Sequence, residues 1–285
     1  MRSRLEGALS PLLGLLLILQ SGLVVTGGAV RITGSGLGCP TWPKCTTLSY
    51  TPVPHQPQGQ VHVWIEFGNR LLTIALLFVA IASMVTVLVL RRRDIKALAI
   101  GQVAGILAQI PHGGITVLTH LNPISVASHF LLSMILIAAC TSLYERRKST
   151  PPQLPRAKKR FPALTRAHLV LTTLVIVMGT IVTGSGPNAG DYSAPRFHIH
   201  FQTISWIHAG LVIVLMLLTV VLFFAASESA FLRRRVAIFG IVSILQGSIG
   251  FLQYYQGLPE LLVGAHLLGV TLVWIGAWRI QLAAK

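Results

Sequence analysis

Acidic side chains are scarce in this sequence: seven aspartates and glutamates in 285 residues, against 23 lysines and arginines and a formal net charge of +16. Charged residues of both signs make up only 11%, less than half of the roughly 25% usual in a soluble domain. That shortage argues against a soluble globular enzyme. Disorder is excluded from the other direction, because it needs an apolar-poor chain rich in charge, whereas 53% of this one is hydrophobic and its mean hydropathy is +0.72. The basic excess has two readings, a nucleic-acid footprint or the cytoplasmic loops of a membrane protein. Position decides between them.

An α-helix needs about 20 mainly apolar residues to cross a bilayer. Eight such stretches are present, at 10–30, 64–90, 97–117, 124–143, 166–184, 203–226, 236–254 and 260–279. Basic runs fill every second connection: Arg91-Arg92-Arg93-Asp94-Ile95-Lys96, the segment 145–160, and Arg233-Arg234-Arg235. These connections and both termini share one side, which collects 19 of the 23 lysines and arginines. Arg31, Lys44 and Arg196 fall on the other side, and Arg70 falls within a span. Such an asymmetry places both termini in the cytoplasm. Charge divided among five segments makes a poor nucleic-acid surface, so the lipid bilayer, not nucleic acid, is the expected partner. The first stretch reads as a retained span rather than a cleaved signal peptide, given its length and the uncharged Gly-rich run behind it. Without a transit-peptide composition, the expected location is a bacterial plasma membrane.

The expected fold is all-α, with eight transmembrane helices as two four-helix bundles. The longest polar connection separates an N-terminal bundle, 1–144, from a C-terminal bundle, 166–285, through a basic cytoplasmic linker, 145–165. The halves echo one another. Thr33-Gly34-Ser35-Gly36 closes the first span and Thr183-Gly184-Ser185-Gly186 the fifth; Gln109 precedes His129 by 20 residues, as Gln246 precedes His266; Gly113 and Gly250 each follow their glutamine by four. Four spans is an even number, so both copies enter from the same side as parallel repeats. Four-helix bundles commonly hold a cofactor in the core, and two bundles suggest two sites.

Ionisable residues within a span are costly and are functional candidates by default. His129 and His266 lie about six residues into their spans and His208 about five, roughly 7–10 Å below the outer surface at 1.5 Å per residue. A lone histidine there is usually structural. His208 and His266 form a pair at similar depth, the arrangement of a bis-histidine haem. No compact cluster of four ligands suggests zinc. In the repeat, Asn69 takes the place of His208, with Glu66 one turn earlier and Arg70 beside it. His55, His62, His198 and His200 belong to outer loops and are expected to be solvated. His112 and His120 flank the outer end of span three, with either role open, and His168 is expected to be interfacial. Cys39 and Cys45 lie in the first outer loop, on the oxidising side where a disulfide persists; free thiols or a metal pair are the alternatives. Cys140 reads as a small packing residue.

Together these residues resemble the haem A synthase family along nearly the whole chain. The resemblance rests on Gly27-Gly28-Ala29-Val30-Arg31-Ile32-Thr33-Gly34-Ser35-Gly36 leading into the Cys39/Cys45 loop, on Glu66-Phe67-Gly68-Asn69-Arg70, on His129, on Ile207-His208-Ala209, and on Gln246 to His266 with Gly257-Leu258-Pro259-Glu260. It implies oxidation of the C8 methyl of haem O to a formyl group, through hydroxymethyl and gem-diol stages, giving haem A for cytochrome oxidase. It also implies a haem b cofactor on His208 and His266, a substrate haem O near Asn69 and His129, a catalytic Glu66 and a Cys39–Cys45 disulfide. Two features depart from the better-known pattern. The first family histidine is Asn69 here, as in one branch of the family, and the loop after span five has no cysteine for a second disulfide.

One imidazole, unlike two, leaves an iron with an open position, so His129 alone would admit oxygen or water to the substrate haem. A carboxyl in an apolar site tends to hold its proton, which suits Glu66 to acid–base work; the alternative is that it pairs with Arg70 or Arg31 and orients a helix. Arg31 and Arg70 are candidates for contacts to haem propionates. The cysteine loop reads as a structural lid in preference to a thiol-exchange relay. Haem O synthase and a membrane electron acceptor are candidate partners. The rival readings are a dihaem cytochrome b that only passes electrons, which needs neither Glu66 nor an asymmetric first half, and a transporter, for which matched broken spans are missing.

Overall fold

A computed structural model describes residues 2–148 and 161–284. They form eight long α-helices and, among the described residues, no strand: α1 (Arg2–Ile32), α2 (Gln60–Val89), α3 (Lys96–Leu118), α4 (Pro123–Glu145), α5 (Phe161–Ser185), α6 (Phe201–Ala225), α7 (Ala230–Tyr255) and α8 (Glu260–Ala283). All eight are long and apolar enough to cross a membrane, and the protein is a multi-pass membrane protein. The helices overrun the apolar stretches, most clearly at the starts of α1 and α7. Apolar runs mark the part suited to hydrocarbon, whereas caps and backbone hydrogen bonds decide where a helix begins. Ser229 Oγ accepts from Leu232 N, so α7 starts before its basic run. Asn122 Oδ1 accepts from Ile124 N at the start of α4, with Pro123 in the first turn, a position where its missing N–H costs nothing.

The chain divides into two compact units, Met1–Arg147 with Gly186–Phe197, and Lys148–Ser185 with His198–Lys285. Residues 149–160 of the expected linker lie outside the described residues. Segment 186–197, expected with the C-terminal bundle, packs with the first unit: Gly36 N donates to the Gly190 carbonyl at 2.9 Å, and Ala189 and Ala194 bury themselves with Leu121. A connector carries no helical periodicity, so nothing in its sequence announces where it docks.

In the first unit α1 packs on α2 and α4, and α3 on the same two; in the second, α5 packs on α6 and α8, and α7 on the same two. Each unit is thus a closed square of four helices. Large apolar side chains such as Ile18, Phe78, Ile135, Ile213 and Ile241 point outward and are exposed, as a lipid-facing surface requires. In lipid, helices are held by close packing rather than by expulsion of water. Accordingly, Gly105 receives Leu136, Gly276 faces Phe239 and Gly14 faces Tyr144 at contact distance.

The packed core occupies one end of each bundle. In the first unit it is built from Leu9, Leu13 and Leu16 of α1, Leu76, Ala80 and Val87 of α2, Ala99 and Ile106 of α3, and Leu136, Cys140 and Leu143 of α4. These residues lie toward the start of α1 and α3 and the end of α2 and α4. In the second unit, Leu215 and Leu222, Val236 and Phe239, and Val273, Ala277 and Ile280 repeat the pattern. The other end of each bundle, which carries the α1–α2 and α3–α4 or the α5–α6 and α7–α8 connections, is here termed distal. Gly27, Gly113, Gly179 and Gly250, with Glu66, Asn69, His129, His208 and His266, stand there in place of bulky aliphatics.

Candidate functional sites at the distal ends

The distal end of the first unit is organised by α2. Glu66, Asn69 and Arg70 lie within a little over one helical turn, so all three can face the bundle and the loop above it. Glu66 is buried, at 5% exposure. Its Oε2 accepts from the Cys39 backbone N–H at 2.6 Å, and its Oε1 accepts from Arg70 Nη2 at 2.6 Å and Nε at 3.2 Å. The same guanidinium donates to the carbonyls of Cys39, Thr41, Pro43 and Lys44. Cys39 and Cys45 are disulfide-linked, which rules out the free thiols and the metal pair. The loop they close is thus pinned from beneath by one ion pair. Its Trp42 seats on Gly114 of α3, where a Cβ would overlap the indole.

Asn69 does not point freely into the bundle. Its Oδ1 accepts from Thr26 Oγ1 of α1 at 2.7 Å, and its amide faces Gly27. Across the bundle His129 of α4 is half-buried, with its Nδ1 buried and without a hydrogen-bond partner. Its ring stacks on that of His112, 5.4 Å between centroids and 13° between planes. His112 Nε2 lies 3.0 Å from Ser128 Oγ, a hydroxyl that itself donates to the Ser125 carbonyl, so the imidazole supplies the proton between them. Gln109 Nε2 donates to the His129 carbonyl and to Ser133 Oγ. Arg31, at the end of α1, donates from Nε to the Asn188 carbonyl, and Arg196 donates to the Pro187 and Ala194 carbonyls. Both therefore hold segment 186–197.

The second unit carries a related but simpler set. His208 of α6 and His266 of α8 are half-buried and within electrostatic reach of one another. Their rings approach the backbone of Val175 and Gln246 respectively, yet the buried Nδ1 of each completes no hydrogen bond. The exposure these rings retain therefore lies away from Nδ1. Gln246 Nε2 donates to the His266 carbonyl at 2.9 Å, the counterpart of the Gln109 bond. Glycine faces each of these residues from the preceding helix. A Cβ would stand 3.0 Å from His266 Cε1 at Gly250, 3.3 Å from His208 Cε1 at Gly179, 3.4 Å from His129 Cε1 at Gly113 and 3.9 Å from Asn69 Nδ2 at Gly27.

Glu66, Arg70 and the cysteines are thus brought into one network, and Arg70 serves the loop. His55, His62, His120, His198 and His200 are exposed. His112 joins His129, an association that no single-residue signal in the sequence reveals. His168, expected at the interface, is fully buried: α5 begins at Phe161, so this ring lies two turns inside, bonded to Thr219 Oγ1 at 3.1 Å and edge-on to Phe239. Among the described residues no group of three or more His, Cys, Asp or Glu could hold a metal ion. These histidines suit a metal that arrives within its own macrocycle and needs only axial ligands.

A family model described as cytochrome oxidase assembly protein (COX15-CtaA) matches residues 11–190. That span includes Arg31, Cys39, Cys45, Glu66, Asn69, Arg70 and His129, while His208 and His266 lie beyond it. The heme A synthase of Geobacillus thermodenitrificans is 33% identical over 123 residues, 42% of this chain and 37% of its own length. The heme A synthase of Shewanella oneidensis is 29% identical over 198 residues, 64% of this chain and 57% of its own length. The chain therefore spans less than two thirds of either curated relative.

Proposed function

The chain belongs to the cytochrome oxidase assembly protein family, and from that premise we propose that it is a haem A synthase of the bacterial plasma membrane, oxidising the C8 methyl of haem O to a formyl group. The observation that carries this reading is the pairing of histidine with facing glycine at the distal ends, where bulky core side chains give way. In the second unit, His208 and His266 would hold a haem b, which when bound supplies one-electron transfer. The buried, unbonded Nδ1 atoms and the space left by Gly179 and Gly250 fit such a group.

In the first unit, His129 would hold the iron of the substrate haem O. Asn69 is engaged by Thr26 and is a poor iron ligand, so one coordination position stays open. Glu66 is assigned acid–base work, with Arg70 and the Cys39 amide fixing the direction of its carboxylate. The disulfide loop, pinned by Arg70 and seated by Trp42, excludes water from the site. Arg31 is the remaining candidate for a propionate contact. A haem O synthase and a membrane electron acceptor are the partners this chemistry calls for. In the repeat register, the positions of Glu66 and Arg70 are Ser205 and Ala209 in the second unit. An electron-transfer dihaem cytochrome has no use for that asymmetry. Expression in cells that supply haem O, followed by pyridine haemochrome analysis and mass spectrometry of the extracted haems, tests the reading. Haem A or its hydroxymethyl precursor is expected; haem b alone, with haem O unchanged, would sink it.

A further inference from the structure

An imidazole's χ2 is a soft, roughly two-fold torsion. Metal-binding histidines usually have it fixed by a hydrogen bond from the second ring nitrogen to a carbonyl or carboxylate. None of His129, His208 and His266 completes such a bond. Their helix register is held, in two cases of three, by a glutamine on the neighbouring helix that bonds the histidine's own carbonyl. The Val175 and Gln246 backbones lie near two of the rings without completing that bond. His112 stacks on the ring of His129, and glycine faces all three. Gly113 and Gly250 lie one turn beyond Gln109 and Gln246 on the same face, and together with Gly179 they leave out the Cβ that would meet the Cε1 edge of each ring. Cε1 neighbours Nε2, so a Cβ against that edge would redirect the Nε2 lone pair. Carbon atoms pack best at about 3.5–4.0 Å, and a Cβ at Gly250 or Gly179 would be closer than that. Gly101 on the helix of Gly113 and Gly247 on the helix of Gly250 meet nothing within 4 Å, so the close approach belongs to these positions and not to glycine content.

We propose that Gly113, Gly179 and Gly250 are positioning residues that set the imidazole planes of the iron ligands, taking the part a hydrogen bond to Nδ1 usually plays. The proposal rests on the haem reading above. It is tested on the full chain purified from cells that make haem b but no haem O, by haem content per protein and by the low-spin electron paramagnetic resonance signal. G250A is expected to shift the g values and to weaken haem retention about tenfold or more, the range seen when a residue orienting a metal ligand is changed. G247A, three residues away on the same helix, is expected to match the wild type in both. G113A is expected to leave the haem b signal untouched and to alter only the signal gained on adding haem O. If G250A folds poorly, G250A/H266A removes the ring that the new Cβ would strike and is expected to be as stable as H266A alone. A double variant less stable than H266A, or a G250A indistinguishable from G247A in a haem-loaded background, overturns the glycine proposal alone. A wild-type protein without haem overturns the haem reading and this proposal together.

Discussion

Glu66 and Arg70 are one turn apart on α2 and form one ion pair beneath the disulfide loop. The carboxylate also accepts from the Cys39 amide, and the guanidinium carries the loop through four carbonyls. Gln at position 66 keeps the shape and one accepting oxygen but removes the ionisable proton and the charge that pairs with Arg70. Conversion of haem O by Glu66→Gln is expected to fall by roughly 10²-fold or more, since positioned acid–base groups contribute about 10²–10⁴-fold. Haem b is expected to stay, because its proposed ligands belong to the other unit. Both are read from the haems extracted after haem O is supplied, and near-normal haem A would remove Glu66 from the reaction. At this scale the sequence was most legible where a costly residue sat inside an apolar run, as Glu66 and His129 do. It was least legible where a role depends on a neighbour distant in the sequence. His112 acquires meaning only from stacking on His129, and His168 only from Thr219 and Phe239. Asn69 is similar, because Thr26 is what commits its oxygen.

Each bundle has a packed end and an end set aside for the site, and the packed end is fastened further by its turns. At the core end of the first unit the α2–α3 turn does this: Arg92 donates to Asp94 and to the Arg146 and Arg147 carbonyls at the close of α4. A cation suits the partial negative charge of a helix C-terminus. The hydrogen bonds from Arg92 hold the Asp94 carboxyl below the usual carboxylate range, against a smaller opposing effect of burial. A lowered folded value means that the stabilisation is complete above the unfolded value of about 3.9 and is lost as pH falls through the lowered one. Asp94 is 53% exposed, so solvent screening keeps the contribution within about 1 kcal/mol. Asp94→Asn is therefore expected to lower the melting temperature slightly at neutral pH, with the difference closing as pH falls from neutral through the lowered Asp94 value. Thermal scans in detergent across that range check it; a constant offset would mean that the pair acts through something other than charge. Elements were legible where apolar length and capping agree, and all eight helices follow from them. The connector 186–197 was not, since docking through Gly190 and Ala194 is a tertiary event with no periodic signature.

At the scale of the molecule, the two bundles share helix order, the position of the core and the glutamine–histidine bond, and they differ in what stands on the second helix of each. His208 faces Gly179 in one; Asn69 faces Gly27 and is tied to Thr26 in the other. Two imidazoles close an iron's coordination and retain it, whereas one leaves the iron exchangeable, and a substrate must leave. The second unit should therefore own its haem and the first should turn its haem over. Replacement of His208 or His266 by Ala, in protein purified from cells without haem O, is expected to remove most of the reduced-minus-oxidised b-type spectrum. It is also expected to lower thermal stability, because a ligand bound only by the folded state stabilises that state. His129→Ala is expected to keep the spectrum and the stability but to make no haem A once haem O is supplied. Asn69→His faces Gly27 and loses the Thr26 bond; it is expected to hold haem O more tightly and turn it over more slowly. Loss of the b-type spectrum in His129→Ala, with retention in His266→Ala, would mean that the resident and substrate sites are exchanged. Loss in all three variants would mean that both bundles keep permanent haems, and the asymmetry at Asn69 would then need an electron-transfer explanation.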